Sequence, residues 1–211
     1  MAVVPAAVRE QLQFLCSRLD HHDQGVPSSI AVTSALSGEG VTFISRALAG
    51  VLSEDVGRRT CLVSANWWST DATQSTDGDG LAGVIRDDRP VEDVLIKTKS
   101  DCLSLIESGS LPEVERMALS TTRAMSVVMA ELRPLFDHVV IDLPATSTST
   151  AAMNFAAAAD ASLLVARQQM VRADQVQVAA SDLQHTRLLG VVLNDFHLSM
   201  PKAVQRRLID A

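Results

Sequence analysis

Residues 35–42 read Ala-Leu-Ser-Gly-Glu-Gly-Val-Thr, a run built to cradle phosphate. In a phosphate-binding loop, consecutive backbone N–H groups wrap the phosphates, a lysine reaches the β- and γ-phosphates, and the hydroxyl that follows ligates Mg²⁺. Gly38, Glu39 and Gly40 supply the turn and Thr42 the hydroxyl, but Val41 stands where the lysine belongs and offers only its backbone. Asp142 closes the apolar run Phe136-Asp137-His138-Val139-Val140-Ile141, and a carboxylate at such a strand end binds Mg²⁺ through water. Asn194 ends a second apolar run, Leu189-Gly190-Val191-Val192-Leu193, from which its amide could read an adenine edge. The nucleotide-binding set expected from these residues is Gly38, Glu39, Gly40, Val41, Thr42, Asp142 and Asn194, with Thr42 and Asp142 serving Mg²⁺ only if a Mg-nucleotide binds. No catalytic residue is assigned. A third run, Thr60-Cys61-Leu62-Val63-Ser64-Ala65-Asn66, ends without a carboxylate, which leaves Asp142 as the only acid of the motif set.

The elements needed to hold these residues are present in order. Ser29-Ile30-Ala31-Val32-Thr33-Ser34 is a short β-branched run that reads as a buried strand, and residues 43–52 follow with apolar side chains at helical spacing. Further helices are predicted over residues 6–19, 91–95, 112–135, 150–158, 173–184 and 201–209. Strands alternating with helices predict a doubly wound, mainly parallel α/β sheet. At 211 residues and 47% hydrophobic, the chain can bury one full core, so residues 1–211 are expected to form a single domain with an N-terminal helix. Residues 69–79, rich in Ser, Thr, Asp and Gly, read as a loop beside the nucleotide site. Trp67 and Trp68 are adjacent on a strand end, so one ring should enter the fold and the other face the mouth of the site, as packing or as a partner anchor.

A net charge of −7 excludes a nucleic-acid binder, whose affinity comes from lysine and arginine neutralising phosphates. Lys202, Arg206 and Arg207 read as a solvated helix face. No run is long and apolar enough to span a membrane, and the first residues lack the basic flank of a signal peptide, so the expected location is the cytosol. Cys16, Cys61 and Cys102 read as small core hydrophobes in a reducing compartment, and the histidines, His21-His22 included, show no metal spacing.

Taken together with Gly80-Leu81-Ala82-Gly83-Val84-Ile85, Glu131-Leu132-Arg133-Pro134-Leu135-Phe136-Asp137 and Ala159-Asp160-Ala161-Ser162-Leu163-Leu164-Val165-Ala166-Arg167, these motifs resemble the CpsD/CapB-like bacterial tyrosine kinases of capsule and exopolysaccharide synthesis, within the MinD/ParA type of P-loop ATPase. The resemblance spans residues 10–196 and implies a P-loop NTPase-like fold. Four departures alter the chemistry it implies. Val41 replaces the lysine; Ser64 and Asn66 replace an Asp-x-Asp pair; the chain has no tyrosine to phosphorylate; and Gln13 and Cys16 replace the arginines of the ring-forming Glu-x₂-Arg-x₂-Arg helix that begins at Glu10. Loss of a general base alone costs about 10²–10⁴-fold in rate. The expected protein is therefore a pseudokinase-type regulator or partner in polysaccharide assembly or export, binding ATP or ADP with Mg²⁺ weakly at most. Its expected partner is a membrane polysaccharide co-polymerase or another assembly protein, which would hold it at the inner face of the membrane, and self-association is left open. The alternatives are a residual ATPase or kinase in which Arg46 or a neighbouring subunit's cation replaces the lysine, and a MinD/ParA-type positioning protein.

Overall fold

The computed structural model describes residues 4–21, 25–69 and 80–196. The strands are β1 Ser29–Ser34, β2 Thr60–Ser64, β3 Ile96–Lys97, β4 Leu103–Ile106, β5 His138–Asp142, β6 Ala161–Arg167 and β7 Arg187–Asn194. The helices are α1 Ala6–Asp20, α2 Val41–Gly50, α3 Gly80–Asp87, α4 Glu113–Leu119, α5 Thr122–Leu132, α6 Ala151–Ala156 and α7 Ala173–Asp182. They build one seven-stranded sheet in the order β3-β4-β2-β5-β1-β6-β7, parallel except for the short β3–β4 pair. Helices cover both faces, so the doubly wound, mainly parallel α/β fold read from the sequence is the fold observed.

Central strands buried on both faces need apolar residues at nearly every position, and β1, β2 and β5 are buried throughout. Their side chains divide by period two. Val32, Leu62, Leu103 and Val140 face α1 and α2, where they meet Leu12, Ile44 and Leu48. Ala31, Val63, Ile106 and Ile141 face the opposite layer, where Met125, Leu132 and Phe155 pack. This parity decides which strand-end side chains look toward α2.

Two features depart from the sequence reading. The helix expected over residues 112–135 is broken into α4 and α5, because Thr121 is extended (φ −108°, ψ 153°) and its hydroxyl accepts the Ala124 N–H at 3.1 Å. Three consecutive hydroxyl residues, Ser120 to Thr122, give the backbone a capping alternative to continuous helix. The helix expected from Phe43 also runs on from Gly50 into a π-helical turn, Val51–Asp55. The sequence reading did not assign β3, β4 or α3. Cys16 and Cys61 are buried as expected, whereas Cys102 lies half-buried in the turn before β4. The expected helix over 201–209 with its basic residues, His22 and most of the loop over 69–79 lie outside the described residues.

Phe155 is fully buried, with Trp67 edge-on at 5.8 Å. Phe155→Ala should cost about 3–5 kcal/mol, the loss typical of an aromatic cavity in a core, whereas Thr121→Ala should cost about 1 kcal/mol as a lost helix cap. Urea unfolding of the two variants beside the parent measures both, and equal costs would contradict this division of the core.

Candidate functional site

The loop between β1 and α2 holds its shape through its own carboxylate. Glu39 is fully buried, and its two oxygens accept the backbone N–H groups of Leu36 at 2.6 Å and Arg167 at 2.8 Å. A buried charge is tolerated only when hydrogen-bonded in this way. Gly38 and Gly40 are left-handed at φ 87° and 97°. A Cβ on Gly40 would lie 2.2 Å from Nδ2 of Asn194, which donates to the Glu39 carbonyl at 2.9 Å. Only glycine fits there. Glu39 thus works inward as a brace, and the Asn194 Nδ2 ties the end of β7 to the loop.

Val41 opens α2. It is 9% exposed and joins the apolar cluster of Ile44 and Leu48, while also lining a cleft of about 350 Å³ with Gly38, Thr42 and Asn66. The cleft therefore meets hydrocarbon at this position. Backbone N–H groups of the first helical turn remain and favour an anion.

Asp142 ends β5 beneath α2. It is 1% exposed and its Oδ1 has no hydrogen-bond partner. Burial pushes this carboxyl up to about 7, against the Thr42 hydroxyl and the Arg46 charge, which favour the ionised form, while the negative charge of Glu107 adds to the rise. An orphaned carboxylate oxygen beside a hydroxyl suits Mg²⁺, so Thr42 and Asp142 fit the ion and the loop backbone fits phosphate. When bound, the ion would neutralise phosphate charge; this chain's residues orient it and keep water from the buried oxygen. No group of three His, Cys, Asp or Glu able to hold a metal occurs among the described residues.

At the end of β2, Ser64 lies beside Asp142 in register. The Asn66 Oδ1 accepts the Trp68 N–H at 3.2 Å, a local turn that ties up the side chain. Trp67 is 6% exposed and donates from Nε1 to the Ser108 carbonyl at 2.8 Å; Trp68 is half-buried against it, ring centroids 6.4 Å apart. Trp67 therefore enters the fold, as expected for one ring of the pair.

The sequence reading did not single out Glu107, which follows β4 and stands outside the motif set that it named. Glu107 is half-buried, with Oε2 unpartnered; burial raises its pKa and Arg46 opposes the rise. The signal that could have found it is the run Leu103-Ser104-Leu105-Ile106, a strand ending in an acid like that of β5. Farther away, Glu10 is exposed on α1, Gln13 donates to Asp55 at 2.9 Å, and Arg9 pairs with Glu54 and Asp55, so this helix is fastened to the end of the π-helical turn.

No protein-family model matches the chain. It is 25% identical to the tyrosine-protein kinase CpsD of Streptococcus agalactiae over 177 residues, 81% of this chain and 76% of that protein. Among solved structures, the chimerical protein CapA2B2 is similar with a TM-score of 0.79 and 24% identity, over 89% of this chain and 84% of that one. The kinase domain of the Escherichia coli tyrosine kinase ETK matches with a TM-score of 0.76 and 20% identity, over 92% and 78%. The Pyrococcus furiosus cell-division ATPase MinD matches with a TM-score of 0.68 and 22% identity, over 88% and 81%. A phosphate-loop turn, a strand-end aspartate under the helix that follows it, and these likenesses lead to one conclusion: the homologues of this chain are CpsD tyrosine-protein kinases, and its fold is that of bacterial tyrosine kinase domains and MinD-like ATPases.

Proposed function

We propose that this chain is a catalytically degenerate, tyrosine-kinase-like P-loop protein that acts as a non-enzymatic regulator or partner in capsule or exopolysaccharide assembly or export. The observation that carries the reading is Val41, an aliphatic side chain at the position where phosphoryl transfer uses a cation. Ser64 and Asn66 offer no base, Asn66 being held in its own turn, and the sequence contains no tyrosine to accept a phosphoryl group. The homology to CpsD supports the pathway. The proposed partner is a membrane polysaccharide co-polymerase, which would hold the protein at the inner face of the membrane; no described helix is long and apolar enough to cross a membrane. The net charge of −7 sets nucleic acid aside. Nucleotide, ATP or ADP with Mg²⁺, binds weakly through Gly38, Gly40 and the backbone of Val41 and Thr42.

A second reading, a residual ATPase, has one observation in its favour. Arg46, one turn into α2, lies close enough for its charge to lower the pKa of both Asp142 and Glu107, so a cation does stand near the site. It restores no base.

The purified chain with Mg²⁺-ATP should release phosphate no faster than its Asp142→Ala variant and should not label itself with radioactive γ-phosphate. Turnover clearly above that variant overturns the pseudokinase reading.

Val41→Lys alone should tighten nucleotide binding by about 1–3 kcal/mol, the scale of a charge-assisted contact, because the new stem can leave the core along the cleft. Hydrolysis should appear only when Ser64→Asp and Asn66→Asp are added, as for groups that act together. Calorimetry and a phosphate-release assay read both steps, and equal turnover in the single and triple variants would remove Ser64 and Asn66 from the explanation.

Asp142 also sets a pH dependence. Its folded-state pKa of about 7 lies above the ordinary 3.8, so the fold favours the neutral acid. The cost of ionising it is absent below about pH 4, accumulates as pH rises, and is complete above about pH 7. Asp142→Asn should therefore match the parent near pH 4 in the presence of EDTA and exceed it at pH 8, by up to about 4 kcal/mol. Denaturant midpoints across that range test this, and a gap that closes with rising pH would contradict it.

A further inference from the structure

The tips of β4, β2 and β5 place two carboxylates in one row. Val63 pairs with Ile106 and Ser64 with Asp142, so Glu107 is next in line with Ser64 on one side and Asp142 stands on the other. Neighbouring strands are about 4.8 Å apart, which puts the Cα atoms of Glu107 and Asp142 roughly 10 Å from each other. Side-chain arms of about 3–4 Å and metal–oxygen distances of about 2.0–2.5 Å span that gap. The parity of the sheet fixes the direction as well. Leu62, Val140 and Leu103 face α2, and Ser64, Asp142 and Glu107 are each an even number of residues along the same strands. All three therefore address the first turns of α2, which bring Thr42, Ser45 and Arg46.

Both acids carry a buried oxygen without a partner, Oδ1 of Asp142 and Oε2 of Glu107, and Asp142 is 1% exposed. Unsatisfied buried carboxylate oxygens are costly, and a pair of them in one row calls for a cation. The backbone that carries Glu107 is held from two sides. Leu81 N–H donates to the Glu107 carbonyl at 2.8 Å, and Ala82 N–H at 3.0 Å and Trp67 Nε1 at 2.8 Å both reach the Ser108 carbonyl. Gly80 (φ +42°) is forced by this approach, since a Cβ there would lie 2.4 Å from the Glu107 oxygen.

We propose that Glu107 supplies the carboxylate that β2 lacks at Ser64 and Asn66, so that a divalent cation of the Mg²⁺ or Mn²⁺ class is held between Glu107 and Asp142 with the Thr42 hydroxyl, and that this site loads without nucleotide. Thr42 and Asp142 are the ligands the P-loop resemblance implies; Glu107 is not among them. The proposal deepens the weak Mg²⁺ binding stated above and is independent of whether the chain hydrolyses ATP. Arg46 is the counter-charge that the ion displaces.

The test is a Mn²⁺ titration of the whole purified chain without nucleotide, read from the electron paramagnetic resonance of free Mn²⁺, together with the Mn²⁺-induced rise in melting temperature. The parent should bind one ion. Glu107→Gln should weaken binding at least roughly tenfold, the loss of one charged ligand, and flatten the melting shift; Glu107→Asp should recover part of both; Glu113→Gln, an exposed acid on α4, should change neither. Parent-like binding by Glu107→Gln, or no ion bound by the parent at millimolar Mn²⁺, overturns the proposal. Glu107 variants avoid the folding risk of altering buried Asp142, and because no turnover is read, failure here is separable from failure of the pseudokinase reading.

Discussion

Glu39 is the constraint on which the site depends. A carboxylate with no exposure must be paid for with hydrogen bonds, and here it takes one N–H from Leu36 within its own loop and one from Arg167 at the end of β6. That bridge ties the loop to β6, five strands on in the chain but adjacent to β1 in space. The Asn194 amide on the Glu39 carbonyl and the Arg167–Asp195 ion pair at 2.8 Å extend the tie to β7. With the loop so fixed, the start of α2 is fixed, and Val41, Thr42, Ser45 and Arg46 take their places over the strand tips.

The loop is therefore held by contacts of its own, from Glu39 to Leu36 and Arg167 and from Asn194 to Glu39. Catalysis by P-loop proteins is mostly positioning and electrostatics; in this chain Glu39 holds the loop, and the position where the resemblance expects a lysine is the apolar Val41. Hydrocarbon at Val41 adds no attraction for phosphate, and the carboxylates of Asp142 and Glu107 oppose it; what remains is the field of the helix N-terminus.

Fold and chemistry separate cleanly for a physical reason. The cores on the two sheet faces are built from Ile44, Leu48, Val140 and Leu12 on one side and Met125, Leu132, Ile141 and Phe155 on the other. Val41, at the position where the resemblance expects a lysine, belongs to the first of these and adds its apolar side chain to the α2 face. A valine there carries no charge and packs with that face, and a likeness to kinase folds by itself says little about turnover.

The sequence by itself determined what depends on local pattern. The β-branched run of β1, the glycine turn and the apolar spacing of α2 are short-range features, and Asp142 is legible because it ends an unbroken apolar strand. Glu39 was legible as a loop residue, yet its inward role was not, because its partner Arg167 belongs to β6. Glu107 could not be placed beside Asp142 from sequence, since their neighbourhood follows from the registers of β4 and β5 on either side of β2. The break at Thr121 turned on whether a hydroxyl caps the next helix or lets the previous one continue, a near balance that packing decides. Local propensity wrote the elements; only the crossing order of the sheet brought the two carboxylates, the hydroxyls of α2 and Arg46 into one cluster, because strand-tip contacts are made between segments that share no local pattern.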